Sequence, residues 1–254
     1  TTNVSVYNSA DVDKRLHVVI TPTDDAAPGI GGVASLFSFR DNSPVVWVFN
    51  LSEYKCATTI SHEAGHAFGL FHDGQPTVEY YPGHDAGYAP GWGPIMGAPF
   101  SNSLYDEVDQ WSKGEYDLAN NQEDDVLIIG GSRNGFGFKE DDYSDSISGT
   151  VGVLGTIGVD LIGGTGLISR SNDIDFFRFA STDGEISLTV SPLDVDSSDS
   201  QPGSGTQGAN LAVQANLLDS TGLLIATGTA DGPVLLESTV TATVSAGIYY
   251  ITVE

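Results

Sequence analysis

Hydrophobic and polar positions change rhythm near residue 138. Before it, strand-like runs are interrupted by one clear amphipathic helix. After it, apolar residues fall almost wholly in short period-two runs between turn residues. In the first stretch, residues 15–21 (RLHVVIT), 31–37 (GGVASLF) and 45–49 (VVWVF) read as strands, and the paired glycines of the second suggest a bulge or a close backbone approach. Residues 53–69 take helical spacing, with Cys56, Ile60, Ala64, Ala67 and Phe71 marking the buried face and Asn50 or Ser52 offering the N-cap. Residues 107–121 (EVDQWSKGEYDLANN) read as a second helix, followed by an acidic turn and the apolar run Val126–Ile129. Further on, 176–179, 186–190, 211–217 and 249–253 alternate with period two, and 194–210 form a polar loop. The pattern predicts an α+β domain over 1–138, a mixed sheet with one principal helix, followed by an all-β antiparallel sandwich over 139–254.

Charge narrows the range of partners. The 254 residues carry 9 Lys and Arg against 34 Asp and Glu, a formal charge of −25. A surface of that sign repels phosphate backbones and anionic lipid heads, which argues against nucleic-acid and membrane-surface partners. No run approaches the roughly 18 apolar residues that a membrane-spanning helix needs. Acidity is shared evenly between the two stretches, but the chemistry is not: all five His, all three Trp, the one Met and the one Cys precede residue 139. Cys56, standing alone and on the core face, excludes an internal disulfide and a multi-cysteine metal site.

The chemistry concentrates in residues 61–73, SHEAGHAFGLFHD. His62 and His66 are four apart, so their imidazoles rise from one helical face towards a common point, with Glu63 beside them. His72 cannot join them from a continuous helix, because six more residues at about 1.5 Å each would carry it roughly 9 Å along the axis. The chain must turn, and Gly69 supplies the left-handed conformation. Three histidines that leave a further coordination position free are the ligand set of a catalytic zinc rather than a structural one, and Glu63 is the base such a site needs.

His62–His72 matches the HExxHxxGxxH motif, and on it the first stretch resembles the metzincin zinc endopeptidases. Asp73 after the third histidine is similar to the adamalysin/reprolysin and snapalysin-like branches. The resemblance implies that Met96, in Gly93-Pro-Ile-Met-Gly97, forms the methionine turn beneath the metal, and that Gly69 and Asp73 support the site. It also implies that Gly32, Val33 and Ala34 form an edge strand that holds an extended peptide by strand addition, with His84 in the pocket wall. Ala98 stands where astacins and serralysins carry a ligand tyrosine, which leaves Tyr105 as the other tyrosine to consider. Only about 50 residues precede the helix, so the family's first strand and helix are expected to lie outside residues 1–254.

The second stretch resembles the bacterial prepeptidase C-terminal (PPC) domain. The resemblance rests on Gly166-Leu-Ile-Ser169, Asn172-Asp-Ile-Asp-Phe-Phe-Arg-Phe179, Asn210-Leu211, Asp219-Ser-Thr-Gly222 and Ala246–Ile251. Its acidic turns, Asp173 and Asp175 together with Asp141, Asp142 and Asp145, offer oxygen ligands of the kind calcium takes, although solvated acidic turns are commoner. His17 reads as a structural strand residue. The expectation is a secreted, bacterial, monomeric zinc endopeptidase acting on proteins or peptides, with zinc and also calcium as cofactors. Two alternatives stay open: a non-catalytic zinc-containing adhesion or substrate-binding protein, and a processing protease of narrow specificity.

Overall fold

A computed structural model of the chain describes residues 14–25, 27–41, 44–49, 53–84, 91–98, 107–193, 211–228 and 236–254. The candidate caps Asn50 and Ser52, Tyr105 and the polar loop 194–210 lie outside them. The chain divides into two compact units, Thr1–Gly137 and Phe138–Glu254. Both helices and strands are present, with strands in the majority, so the fold is mixed α and β. No helix among the described residues is long and apolar enough to cross a membrane.

In the first unit, strands β1 (His17–Thr21), β2 (Gly32–Val33) and β3 (Val45–Phe49) form a sheet in the order β1-β3-β2. β1 and β3 run parallel, and β2 pairs antiparallel with β3 at the sheet edge. Helix α1 (Glu53–Phe68) lies against one face of the sheet. Val46 and Val48 alternate inward and meet Ala67, with Cys56, Ile60, Val18 and Ala34 around them. Two residues placed on the helix's core face by spacing differ. Ala64 is only half-buried, and Phe71 lies beyond the helix end, 46% exposed, edge-on to Phe37. The helix stops three residues before Phe71, so the periodicity no longer governs where its side chain points.

Residues 107–121 are not helical. Strand β4 (Gly91–Pro94) pairs in parallel with β5 (Glu107–Gln110), and turns follow. Local bonds compete with a helix here: the Lys113 N–H donates to Glu115 and the Gly114 N–H to Ser112. Gly114 and Leu118 also adopt positive φ, 81° and 57°, which no right-handed helix contains. The apolar run after the acidic turn is a short helix, α2 (Asp125–Ile129), capped by Asp124, whose side chain accepts from the Leu127 N–H.

In the second unit, β6 (Gly152–Ile157), β7 (Asp175–Ser181), β9 (Ala215–Asp219), β10 (Leu224–Thr227) and β12 (Gly247–Val253) form one sheet, ordered β10-β9-β12-β7-β6. β8 (Gly184–Val190) and β11 (Ser238–Val244) form a second, antiparallel sheet. Inward side chains of both, among them Phe177, Phe179, Leu217 and Ile251 from the first and Ile186 and Val240 from the second, make one apolar core. The expectation of purely antiparallel pairing fails at β6, which runs parallel to β7. Residues 158–174 form the long connection that parallel neighbours require.

Candidate metal centre

Helix α1 carries His62, Glu63 and His66, and it ends where the sequence places its turn. Gly69 has φ 108°; its N–H donates to the His66 carbonyl, and the Leu70 N–H reaches back to Gly65. This is a Schellman ending, which reverses the chain within one residue. Neighbouring chain seals the helix end: the Phe37 and Phe39 N–H groups donate to the His66 and Ala67 carbonyls. After the turn, residues 70–73 run back so that His72 Nε2 comes within 3.0 Å of His66 Nε2. One ligand atom from each of His62, His66 and His72 lies within 4.8 Å of the others.

Each imidazole is oriented by its other nitrogen. His62 Nδ1 is 2.8 Å from the Ile95 carbonyl, His66 Nδ1 is 2.9 Å from the Leu70 carbonyl, and His72 Nδ1 is 3.1 Å from Glu79 Oε1. Carbonyl and carboxylate oxygens only accept, so each Nδ1 carries the proton and each Nε2 presents a lone pair inward. Two such lone pairs facing each other at 3.0 Å repel unless a cation lies between them. Burial pushes His62 down to about 4, against the raising effect of its Ile95 bond, and it lowers His66 in the same sense. Neutral, preoriented imidazoles with an all-nitrogen donor set fit zinc or a similar borderline metal.

Glu63, 6% exposed, is pushed up to about 7 by desolvation alone. Its carboxylate accepts no hydrogen bond among the described residues. It lies against edge strand β2: a Cβ at Gly32 would fall 2.7 Å from Glu63 Cγ and 2.8 Å from its Oε1. Gly32 therefore owes its smallness to the carboxylate behind it. Val33 is the other residue of the edge strand. Ala34 is not part of the strand: it lies past the end of β2 with its side chain in the Val46–Ala67 core.

The turn 94–97 supports the centre three times over. The Ile95 carbonyl orients His62, and the Met96 carbonyl accepts from the Asp73 N–H. The fully buried Met96 side chain presses under the helix, where a Cβ at Gly65 would lie 2.5 Å from Sδ. Asp73 is pinned through its main chain, and its carbonyl accepts from the Tyr81 N–H. Residues 116–123 brace the same segment: Tyr116 Oη donates to the Gly74 carbonyl, and Asn120 Oδ1 accepts from the Gly74 N–H.

Several contributors escaped the sequence reading. Tyr80 sets its ring 4.3 Å from that of His72 and 6.2 Å from that of His62. Nothing in the spacing marks Tyr80 or Glu79, because the loop after His72 has no period to place them. Gly65 did carry a signal, since a glycine inside a helix costs about 1 kcal/mol against alanine and calls for a packing reason. His84 is placed away from the triad's ring contacts: its Nδ1 is 3.0 Å from Tyr81 Oη and its ring meets Trp92. His17 opens β1, as a strand residue.

Asp73 and Asp125 form a buried acidic layer, 2% and 0% exposed, each with one carboxylate oxygen lacking a hydrogen bond. Burial, with Glu123 and Glu115 adding to it, pushes Asp73 up to about 7; burial pushes Asp125 up to about 8. A carboxyl whose folded pKa exceeds its unfolded value of about 4 favours the fold most when protonated. The associated stability is present below about pH 4 and is lost as pH rises through 8. Asp125→Asn keeps an acceptor for the Ser112 N–H and removes the charge. Its thermal midpoint should fall less than that of the wild type between pH 5 and 9 in a melting series, and equal slopes would count against this account. Compared with known protein families and with curated protein sequences, the chain matches none, so the case for a metal centre rests on the residues themselves.

Proposed function

We propose that the chain is a secreted bacterial zinc endopeptidase of the metzincin kind, whose catalytic unit is followed by a β-sandwich resembling the PPC domain. The observation that carries the reading is the pairing of three inward Nε2 lone pairs with a desolvated Glu63 that, among the described residues, has no hydrogen bond and lies at an unpaired strand edge. A purely structural metal site has no use for that carboxylate.

His62, His66 and His72 would hold the ion. When bound, it supplies Lewis acidity that polarises the scissile carbonyl and brings the pKa of water down towards about 7. The chain's own part begins at β2, whose outer edge adds an extended peptide as a further strand. Because Gly32 abuts Glu63, a peptide on that edge runs alongside the carboxylate. Glu63 takes a proton from the attacking water and passes it to the leaving amine, acting as base and then as acid. A pKa raised by desolvation suits both tasks near neutrality, and a bound cation lowers it from about 7.

The test is zinc content measured together with casein and peptide-library hydrolysis, with and without a chelator. One zinc per chain, with hydrolysis lost on chelation and regained on adding zinc, is the expected result. Zinc bound without cleavage of either substrate would overturn the peptidase in favour of a zinc-containing binding protein.

A further inference from the structure

The proposed function gives the outer edge of β2 to a peptide, and a row of exposed apolar side chains ends at that edge. β2 pairs with β3 so that Gly32 stands opposite Val48 and Val33 opposite Trp47. Opposed residues share a face of the sheet, and successive residues alternate between faces. Val48 is buried on the helix side, in the core with Val46 and Ala67. Gly32 shares that side, against Glu63, so Val33 and Trp47 point away from α1. Register extends the row one strand further, because Val19 of β1 stands opposite Trp47.

Val33 is 43% exposed and Trp47 41%. Single exposed apolar residues are ordinary, but these two adjoin and lead to the edge. Trp47 has a strand on either side. Val33 has one only, since no strand pairs with the outer edge of β2 among the described residues. A strand added there brings one of its residues directly beside Val33, with Cβ atoms about 4.5–5.5 Å apart. The neighbouring residue of that strand faces Gly32, and behind Gly32 lies Glu63. Selection at Val33 therefore acts close to the bond beside the carboxylate.

Resting on the peptidase reading of this edge, we propose that Val33 and Trp47 select the substrate. The site takes extended peptides with a bulky apolar residue opposite Val33: isoleucine, valine, leucine or phenylalanine rather than a polar or charged one. Such a side chain completes the row, removing apolar surface of Val33 from water and extending the surface that Trp47 begins. Aromatic and β-branched pairs across strands are favoured over polar ones by up to about fivefold. Serine or aspartate at that place leaves the flank of Val33 wet. Neither Val33 nor Trp47 touches the reacting atoms; both act on binding.

The experiment cuts a mixed peptide library with the zinc-loaded full chain and sequences the products. One position within two residues of the cut should be enriched in those apolar residues, with kcat/KM for isoleucine exceeding that for serine about fivefold. Trp47→Thr and Val33→Thr keep a β-branched residue in each strand and leave the buried face alone. Each should bring the ratio towards one, through KM and not kcat, because the contact is the same in ground and transition states. Melting midpoint and zinc content verify that the variants fold. No enrichment within two residues of the cut would overturn the proposal, as would an unchanged ratio in both variants. A second measurement needs no cleavage. Titrated into the full chain without metal, an alternating valine–serine hexapeptide should bind about fivefold more tightly than hexaserine and shift tryptophan emission to shorter wavelength. Trp47→Thr should lack the shift. If no peptide is cut, the peptidase reading fails, and this titration still decides the selection: equal binding of the two peptides would overturn it.

Discussion

Glu63→Gln should abolish peptide hydrolysis while leaving the zinc content of the chain unchanged. Glutamine keeps the shape that fills the space behind Gly32, so β2 and the helix stay in place. It lacks the basicity to take a proton from water, and it cannot return one to the leaving amine. General acid–base groups contribute about 10²–10⁴-fold, and this one serves in both halves of the reaction, so kcat/KM should fall towards the upper end of that range. The histidines keep their own partners, Ile95, Leu70 and Glu79, none of which involves Glu63. Measuring kcat/KM on a peptide together with bound zinc separates the two roles. A variant retaining more than a tenth of wild-type activity at full zinc occupancy would show that Glu63 is not the base.

Gly69→Ala should lose both the metal and a large part of the chain's stability. The position has φ 108°, where a side chain is strained by about 1–3 kcal/mol. The added methyl would also lie 2.5 Å from Phe37 Cδ1. Phe37 is poorly placed to yield. It has a positive φ of 63°, its N–H is bonded to the His66 carbonyl, and its ring is covered by Arg133 at 4.3 Å. Overpacking of this kind adds about 1–3 kcal/mol. Any relief must come from the turn itself, and the turn carries His72. Zinc affinity should therefore fall with the melting midpoint, and Phe37→Ala in the same chain should restore part of the stability by removing the clash, though not the backbone strain. Unchanged zinc affinity and stability in Gly69→Ala would show that the turn does not set the third ligand.

What is legible in the chain's sequence and what is not divide along the range of the interactions involved. His62 and His66 were legible because four residues on a helix place two side chains on one face, whatever lies around them. Gly69 was legible because the third histidine could return only through a left-handed turn, and the Schellman bonds at Gly65 and His66 are the local means by which it does. In the second unit, the alternation in Asp175–Ser181 and Gly247–Val253 was visible because period two reports a half-buried strand. Ala34 and Phe71 were misassigned just past the ends of their elements, where periodicity ceases to constrain direction. The stretch 107–121 was misread because side-chain bonds of Ser112 and Glu115 and two positive-φ residues outweigh its helical composition.

By itself, then, the sequence determined the three histidines, the glutamate beside them and the turn that gathers them, all within thirteen consecutive residues. Tertiary structure decided which nitrogen of each ring faces inward, through Ile95, 33 residues from His62, and Glu79 in a loop without period. It decided that Met96 fits under Gly65, that Gly32 closes on Glu63, and that Tyr80 flanks the triad. It also decided that Asp141 and its neighbours meet Asp173 and Asp175 with two buried oxygens unpaired. The physical reason is one of range. Helical spacing and a glycine turn are fixed by bonds between residues a few positions apart. A ring's proton, a cavity's fit and the gathering of distant charges depend on which remote surfaces the packed core brings into contact.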